Sequence, residues 1–74
     1  MAEFSFQITE QIGILSSSPS GWNREVNMVS WNGREAKLDI RDWAPENTKM
    51  GKGVSLSREE SKALKEILNQ IEDL

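Results

Sequence analysis

Residues 36–43 alternate with a period of two. Ala36, Leu38 and Ile40 fall on one side, and Lys37, Asp39, Arg41 and Trp43 on the other. A β-strand sends successive side chains to opposite faces, so this stretch predicts a strand with a buried aliphatic row. Its other row, carrying two cations and an indole, is then expected to face water. The same period runs through the N-terminal stretch, where Phe4, Phe6, Ile8, Ile12 and Ile14 alternate with Ser5, Gln7, Thr9, Gln11 and Gly13, and Glu10 is the exception on the apolar side. That predicts a long half-buried strand, with a bulge where Gly13 and Leu15 break the alternation. From Trp22 to Trp31 the apolar positions change face at Met28 and Val29. A bulge or a strong twist is expected there.

The connections carry their own signals. Ser16 to Gly21 reads as a turn or loop. Asn32-Gly33 supplies two residues tolerant of positive φ, the requirement of a type I′ hairpin turn. Residues 44–48 read as a loop, and Met50 to Leu56 as a strand interrupted by Gly51 and Gly53. Ser57-Arg58-Glu59-Glu60 has the form of a capping box, and Leu64, Ile67, Leu68, Ile71 and Leu74 follow at helical spacing. The expected elements are strands over 4–15, 22–32, 35–43 and 50–56 and a helix over 58–73, in one domain spanning 1–74. The class is α+β, a four-stranded antiparallel sheet followed by one C-terminal α-helix. One helix covers only part of one sheet face, which leaves the rest for solvent, a ligand or a second molecule.

Size sharpens that point. A chain of 74 residues buries little surface on its own and usually needs a disulfide, a metal or a second copy. With no Cys and no His, disulfides are excluded and a structural zinc site is disfavoured, so a homodimer is expected. No cofactor or metal is expected. Neither a signal peptide nor a bilayer-spanning apolar run is visible, so the expectation is a cytoplasmic protein without a membrane partner. Net charge is −3, but it is uneven: residues 1–21 carry −2, residues 22–56 carry +1 and residues 57–74 carry −2. The middle segment also holds all three Trp, and a local cationic surface steers a polyanion even on an acidic protein.

Few residues suit catalysis. There is no His to act as a base near neutral pH and no Cys nucleophile. Asp39 and Asp42 interleave with Lys37 and Arg41, so pairing explains them better than metal binding. Gly51-Lys52-Gly53 lacks the spacing of a phosphate-binding loop. An enzyme, and hence a small-molecule substrate, is not expected. Tryptophan interleaved with basic residues instead suits single-stranded nucleic acid, because indoles stack bases while cations hold phosphates. The candidate contacts are Trp31, Trp43 and Trp22 for stacking and Arg24, Arg34, Lys37, Arg41, Lys49 and Lys52 for phosphates. Trp22 is equally explained as closing one end of the core.

Leu38-Asp39-Ile40-Arg41-Asp42-Trp43, followed by Lys49-Met50-Gly51-Lys52-Gly53-Val54-Ser55-Leu56-Ser57 and a helix, resembles the transcriptional coactivator positive cofactor four family, most of all its small bacterial YdbC-like branch. The resemblance runs from about Phe4 to the end, and its specific part lies between Trp31 and Ser57. It implies a homodimer of β-β-β-β-α protomers whose curved sheets bind single-stranded DNA without strong sequence preference. In the family, aromatic residues on the second and third strands stack bases, which Trp31 and Trp43 match. Basic strand residues hold the backbone, which Arg24, Arg34, Arg41 and Lys52 match, and Asn32 and Lys37 join them by position. Met50 stands where the coactivators often have Pro.

The sequence thus predicts a sequence-tolerant single-stranded DNA-binding homodimer acting in transcription, replication or repair. Single-stranded RNA stays open as a partner, since nothing in the sequence reads a 2′-hydroxyl. The alternative is a protein–protein interaction module using the same Trp-rich face, because Trp and Arg are also enriched at interfaces.

Overall fold

The computed structural model describes residues 4–74. Four strands, β1 (Phe6–Ser17), β2 (Asn23–Trp31), β3 (Lys37–Trp43) and β4 (Met50–Leu56), pair antiparallel in chain order, and helix α1 (Arg58–Asn69) follows. The expected class is the observed one. Asn32 and Gly33 sit at φ 51° and 75°, and Arg34 N–H donates to the Trp31 carbonyl across the turn. The β2–β3 hairpin is therefore closed by the positive-φ turn that Asn-Gly predicts.

Of the two expected irregularities, the one in the first strand is present and the one within the second is not. The pairing of β2 with β3 runs without a break, so Met28 and Val29 form no bulge of their own, although they lie opposite the first slip of β1. Strand β1 slips register three times against β2, between Ile8 and Glu10, Gln11 and Gly13, and Ile14 and Ser16, the last two around Gly13 and Leu15, where a bulge is expected. Each extra residue bends the strand and adds twist. The consequence is visible in distances. Phe6 pairs with Trp31 and Trp43 pairs with Asn23, eight residues away along β2, a span of about 26 Å in a flat strand. Yet the Phe6 and Trp43 rings lie 5.4 Å apart. The sheet is strongly coiled, and the start of β1 and the end of β2 fold over its concave side.

That coiling inverts the burial expected from alternation. The polar row of β3 is the inner one: Asp39 and Trp43 are fully buried, together with Val29 and Asn27 of β2. The aliphatic row of Ala36, Leu38 and Ile40, on the opposite face, is only half-buried. The 12-residue helix contacts β3 and β4, and its first turn lines a cavity with Ala36 and Leu38, but it leaves the row only partly covered. Strand β1, expected to be half-buried, is exposed at every position but Ile8, because it is an edge strand with nothing over it.

Helix α1 starts as its sequence dictates. Ser57 Oγ accepts from Glu60 N–H, and the Glu60 side chain accepts from Ser57 N–H, the reciprocal capping box. It ends at Asn69, four residues before the expected limit of 73. Its apolar positions Ile67 and Leu68, with Ile71 beyond its end, stay exposed, as does Val54 of β4.

Candidate nucleic-acid interface

The coiled end of the sheet gathers aromatic rings. Phe4 lies 5.9 Å and Phe6 6.0 Å from the Trp31 ring, and 6.3 Å from each other. Phe4 is 64% and Phe6 38% exposed, and Trp31 is half-buried. These three rings form a rim, most exposed at Phe4. Trp31 is fixed from below: its Nε1–H donates to Ser55 Oγ at 3.0 Å, and the Arg41 guanidinium lies 5.1 Å from its ring centroid. Phe4 and Phe6 were legible in the sequence only as strand residues. Their Phe-Ser-Phe spacing opposite Trp31 was the available signal.

Trp43 departs from expectation. It was placed on the solvent face by alternation, but it is 0% exposed, covered by Phe6. Among the described residues its Nε1–H has no acceptor. No face of this indole is open to a base, and Trp43 serves as the floor beneath the rim. Trp22 stands apart from both. It packs beside Gly51 and Asp42, so that a Cβ on Gly51 would lie 3.2 Å from the indole.

Beneath Trp31 lies a buried ion pair. Arg41 donates through Nε and Nη2 to both oxygens of Asp39, at 3.1 and 3.0 Å, and through Nη1 to the Gly51 carbonyl. Asp39 also accepts from Ser55 Oγ at 2.7 Å. The Asp39 side chain is fully buried and that of Arg41 is 15% exposed. A bidentate guanidinium–carboxylate pair with its remaining lone pairs satisfied is the geometry in which a buried pair is tolerated. Arg41, expected as a phosphate contact, is thus committed to Asp39 and to supporting Trp31.

Arg24 is also committed. It pairs with Asp42 at 2.9 Å, on the face opposite Trp31 and Trp43. Its hydrogen bond to Asp42 raises the guanidinium above its ordinary pKa, and the same bond holds Asp42 below the usual carboxylate range. Asp42 was expected to pair with Lys37 or Arg41; strand register brings it to Arg24 instead. The other expected cations, Arg34, Lys37, Lys49 and Lys52, are exposed and make no salt bridge among the described residues. Lys37 faces Val29 in the row that ends at Trp31, and Arg34 lies in the turn just beyond it. Asn32 is engaged in the fold, its Oδ1 accepting from Ser5 N–H and so tying the start of the chain to the hairpin.

The glycines around Lys52 have internal reasons. A Cβ on Gly53 would stand 2.6 Å from Arg41 Cβ and closer still to the Ile40 carbonyl. Close approach of β4 to β3 at the bulge beside Arg41 and Trp43 requires that glycine.

A strongly coiled four-stranded sheet, backed by a single helix and carrying an aromatic rim over its concave side, defines a class of small β-β-β-β-α sheet proteins. Residues 18–67 match the family described as Transcriptional Coactivator p15 (PC4), and the chain belongs to that family. Over 69 residues the chain is 48% identical to an uncharacterised protein of Treponema pallidum (strain Nichols), covering 93% of this chain and 81% of that one. Family membership points to a DNA-binding, transcription-related protein.

Proposed function

We propose that the protein is a non-enzymatic, sequence-tolerant single-stranded DNA-binding homodimer. The observation that carries this reading is the aromatic rim of Phe4, Phe6 and Trp31, with Lys37 in the same row and Arg34 in the adjoining turn, neither paired with a carboxylate among the described residues. Stacking accepts every base, since each has a π-face, and in this reading the exposed cations Arg34, Lys37, Lys49 and Lys52 hold phosphates. Trp43, Arg41 and Arg24 act indirectly, by shaping the sheet.

Self-association has its own support. Among the described residues the buried apolar side chains are Val29, Trp43 and Ala44, a very small core. The Cα radius of gyration is 13.6 Å, against about 11 Å for a compact domain of this length. A second copy that covers the half-open aliphatic row and the exposed Val54, Ile67 and Leu68 supplies the missing burial.

The test is a titration of a labelled mixed-sequence oligonucleotide at several salt concentrations, with duplex DNA and single-stranded RNA as competitors. Saturable binding that falls with log salt by about 0.7 per contacted phosphate, and that resists duplex competitor, is expected. Lack of binding at low salt, with a polypeptide partner recovered instead, would favour an interaction module. RNA competing as well as DNA would broaden the ligand to single strands of either kind.

A further inference from the structure

The concave face holds a polar strip that neither stacking nor phosphate binding uses. Glu25 is 8% and Asn27 1% exposed. Glu25 Oε1 accepts from Asn27 Nδ2 at 3.1 Å and from Asn47 Nδ2 at 3.2 Å, and Asn47 Oδ1 accepts from Gln11 Nε2 at 3.4 Å. Asn47 reaches this position from the loop between β3 and β4, at φ 57°. Arg41 is the cross-strand neighbour of Glu25, but its hydrogen bonds go to Asp39 and Gly51. Glu25 is therefore a buried carboxylate with no ion pair among the described residues. Its Oε2 has no hydrogen-bond partner there, while Oε1 already serves two amides.

The oxygen left to accept from a ligand is therefore Oε2, which is not sealed from solvent. Glu25 and Asn27 line a cleft of about 260 Å³ whose other wall is Gln11, Ile12, Gly13 and Ile14 of β1. That wall lies outside the family match of residues 18–67. The cleft is smaller than the pockets of drug-sized ligands and in keeping with a single base.

We propose that the Glu25 cleft receives one base of the bound strand and favours those presenting an amino group, cytosine foremost, over thymine. The inference rests on the single-stranded DNA reading above. A carboxylate oxygen accepts only, and the cytosine amino group donates to it, whereas the thymine O4 carbonyl at the same place opposes it. Stacking at the rim stays indifferent to base, so the cleft adds a compositional bias to sequence-tolerant binding.

The test compares oligodeoxycytidylate with oligothymidylate of equal length, at mildly alkaline pH and fixed salt, on the wild-type protein. The cytosine strand is expected to bind about three- to tenfold tighter. A cytosine strand with its exocyclic amino groups dimethylated leaves the protein untouched and is expected to lose that advantage. Glu25→Gln keeps an acceptor for Asn27 and Asn47 and turns a donor into the cleft, so the preference is expected to swing toward thymine. Equal affinity for both strands, or an advantage that survives dimethylation, would overturn the cleft assignment and leave the stacking reading standing. Failure of every strand to bind would overturn both.

Discussion

At the scale of single residues, the division between stacking and structural aromatics decides what each substitution does. Trp43 is sealed beneath Phe6, so Trp43→Ala is expected to destabilise the fold by about 3–5 kcal/mol, read in chemical denaturation. Its Nε1–H makes no bond among the described residues, so Trp43→Phe is expected to cost much less. Asp39→Ala strands the Arg41 guanidinium in the interior and is expected to cost about 3–5 kcal/mol as well. The exposed Arg24–Asp42 pair behaves differently. Asp42 has its pKa depressed by folding, so its contribution is complete above the unfolded value of about 3.9. It is lost as pH falls through the lower folded value. Asp42→Asn is therefore expected to lower stability slightly at neutral pH, the effect being small because solvent screens the pair, and to make the acid limb correspondingly shallower, with variant and wild type converging at low pH.

At the scale of elements, the strong periodic and turn signals were readable and the coil of the sheet was not. Alternation in residues 36–43 and the Asn32-Gly33 turn specify β3 and its hairpin, and Ser57 with Glu60 specifies the start of α1. Ser57→Ala is expected to cost about 1 kcal/mol of stability through loss of the cap. Period two assigns side chains to two faces but does not say which face is inside. That choice came from the bulges of β1, whose register slips depend on a partner strand remote in sequence. Hence Lys37, Asp39, Arg41 and Trp43 share a face as expected, but only Lys37 faces water as expected, whereas Asp39 and Trp43 are buried; Phe4 and Phe6, read as the apolar row of a half-buried strand, form the rim. The cations were legible as a set, while their pairing was not. Asp42 meets Arg24 only through the β2–β3 register. Gly53→Ala is expected to push β4 away from β3 and lower the melting temperature, because the added Cβ has no room beside Arg41.

At the scale of the whole molecule, a chain with so small a core is expected to draw its stability from a second copy. Its melting temperature should then rise with protein concentration. A charge at Leu68 or Val54 should produce monomers in light scattering, with lower stability. Dimerisation through the aliphatic side would leave both concave faces, with their aromatic rims, free for a strand. The central claim is that unpaired bases stack on the rim at Trp31 and leave Trp43 untouched. It is tested most directly by following the three indole N–H resonances while single-stranded DNA is added to the native protein. The expected result is a saturable shift of the Trp31 resonance with the Trp43 resonance nearly stationary. A stationary Trp31 signal at saturation, or a shift confined to Trp22 or Trp43, would contradict it.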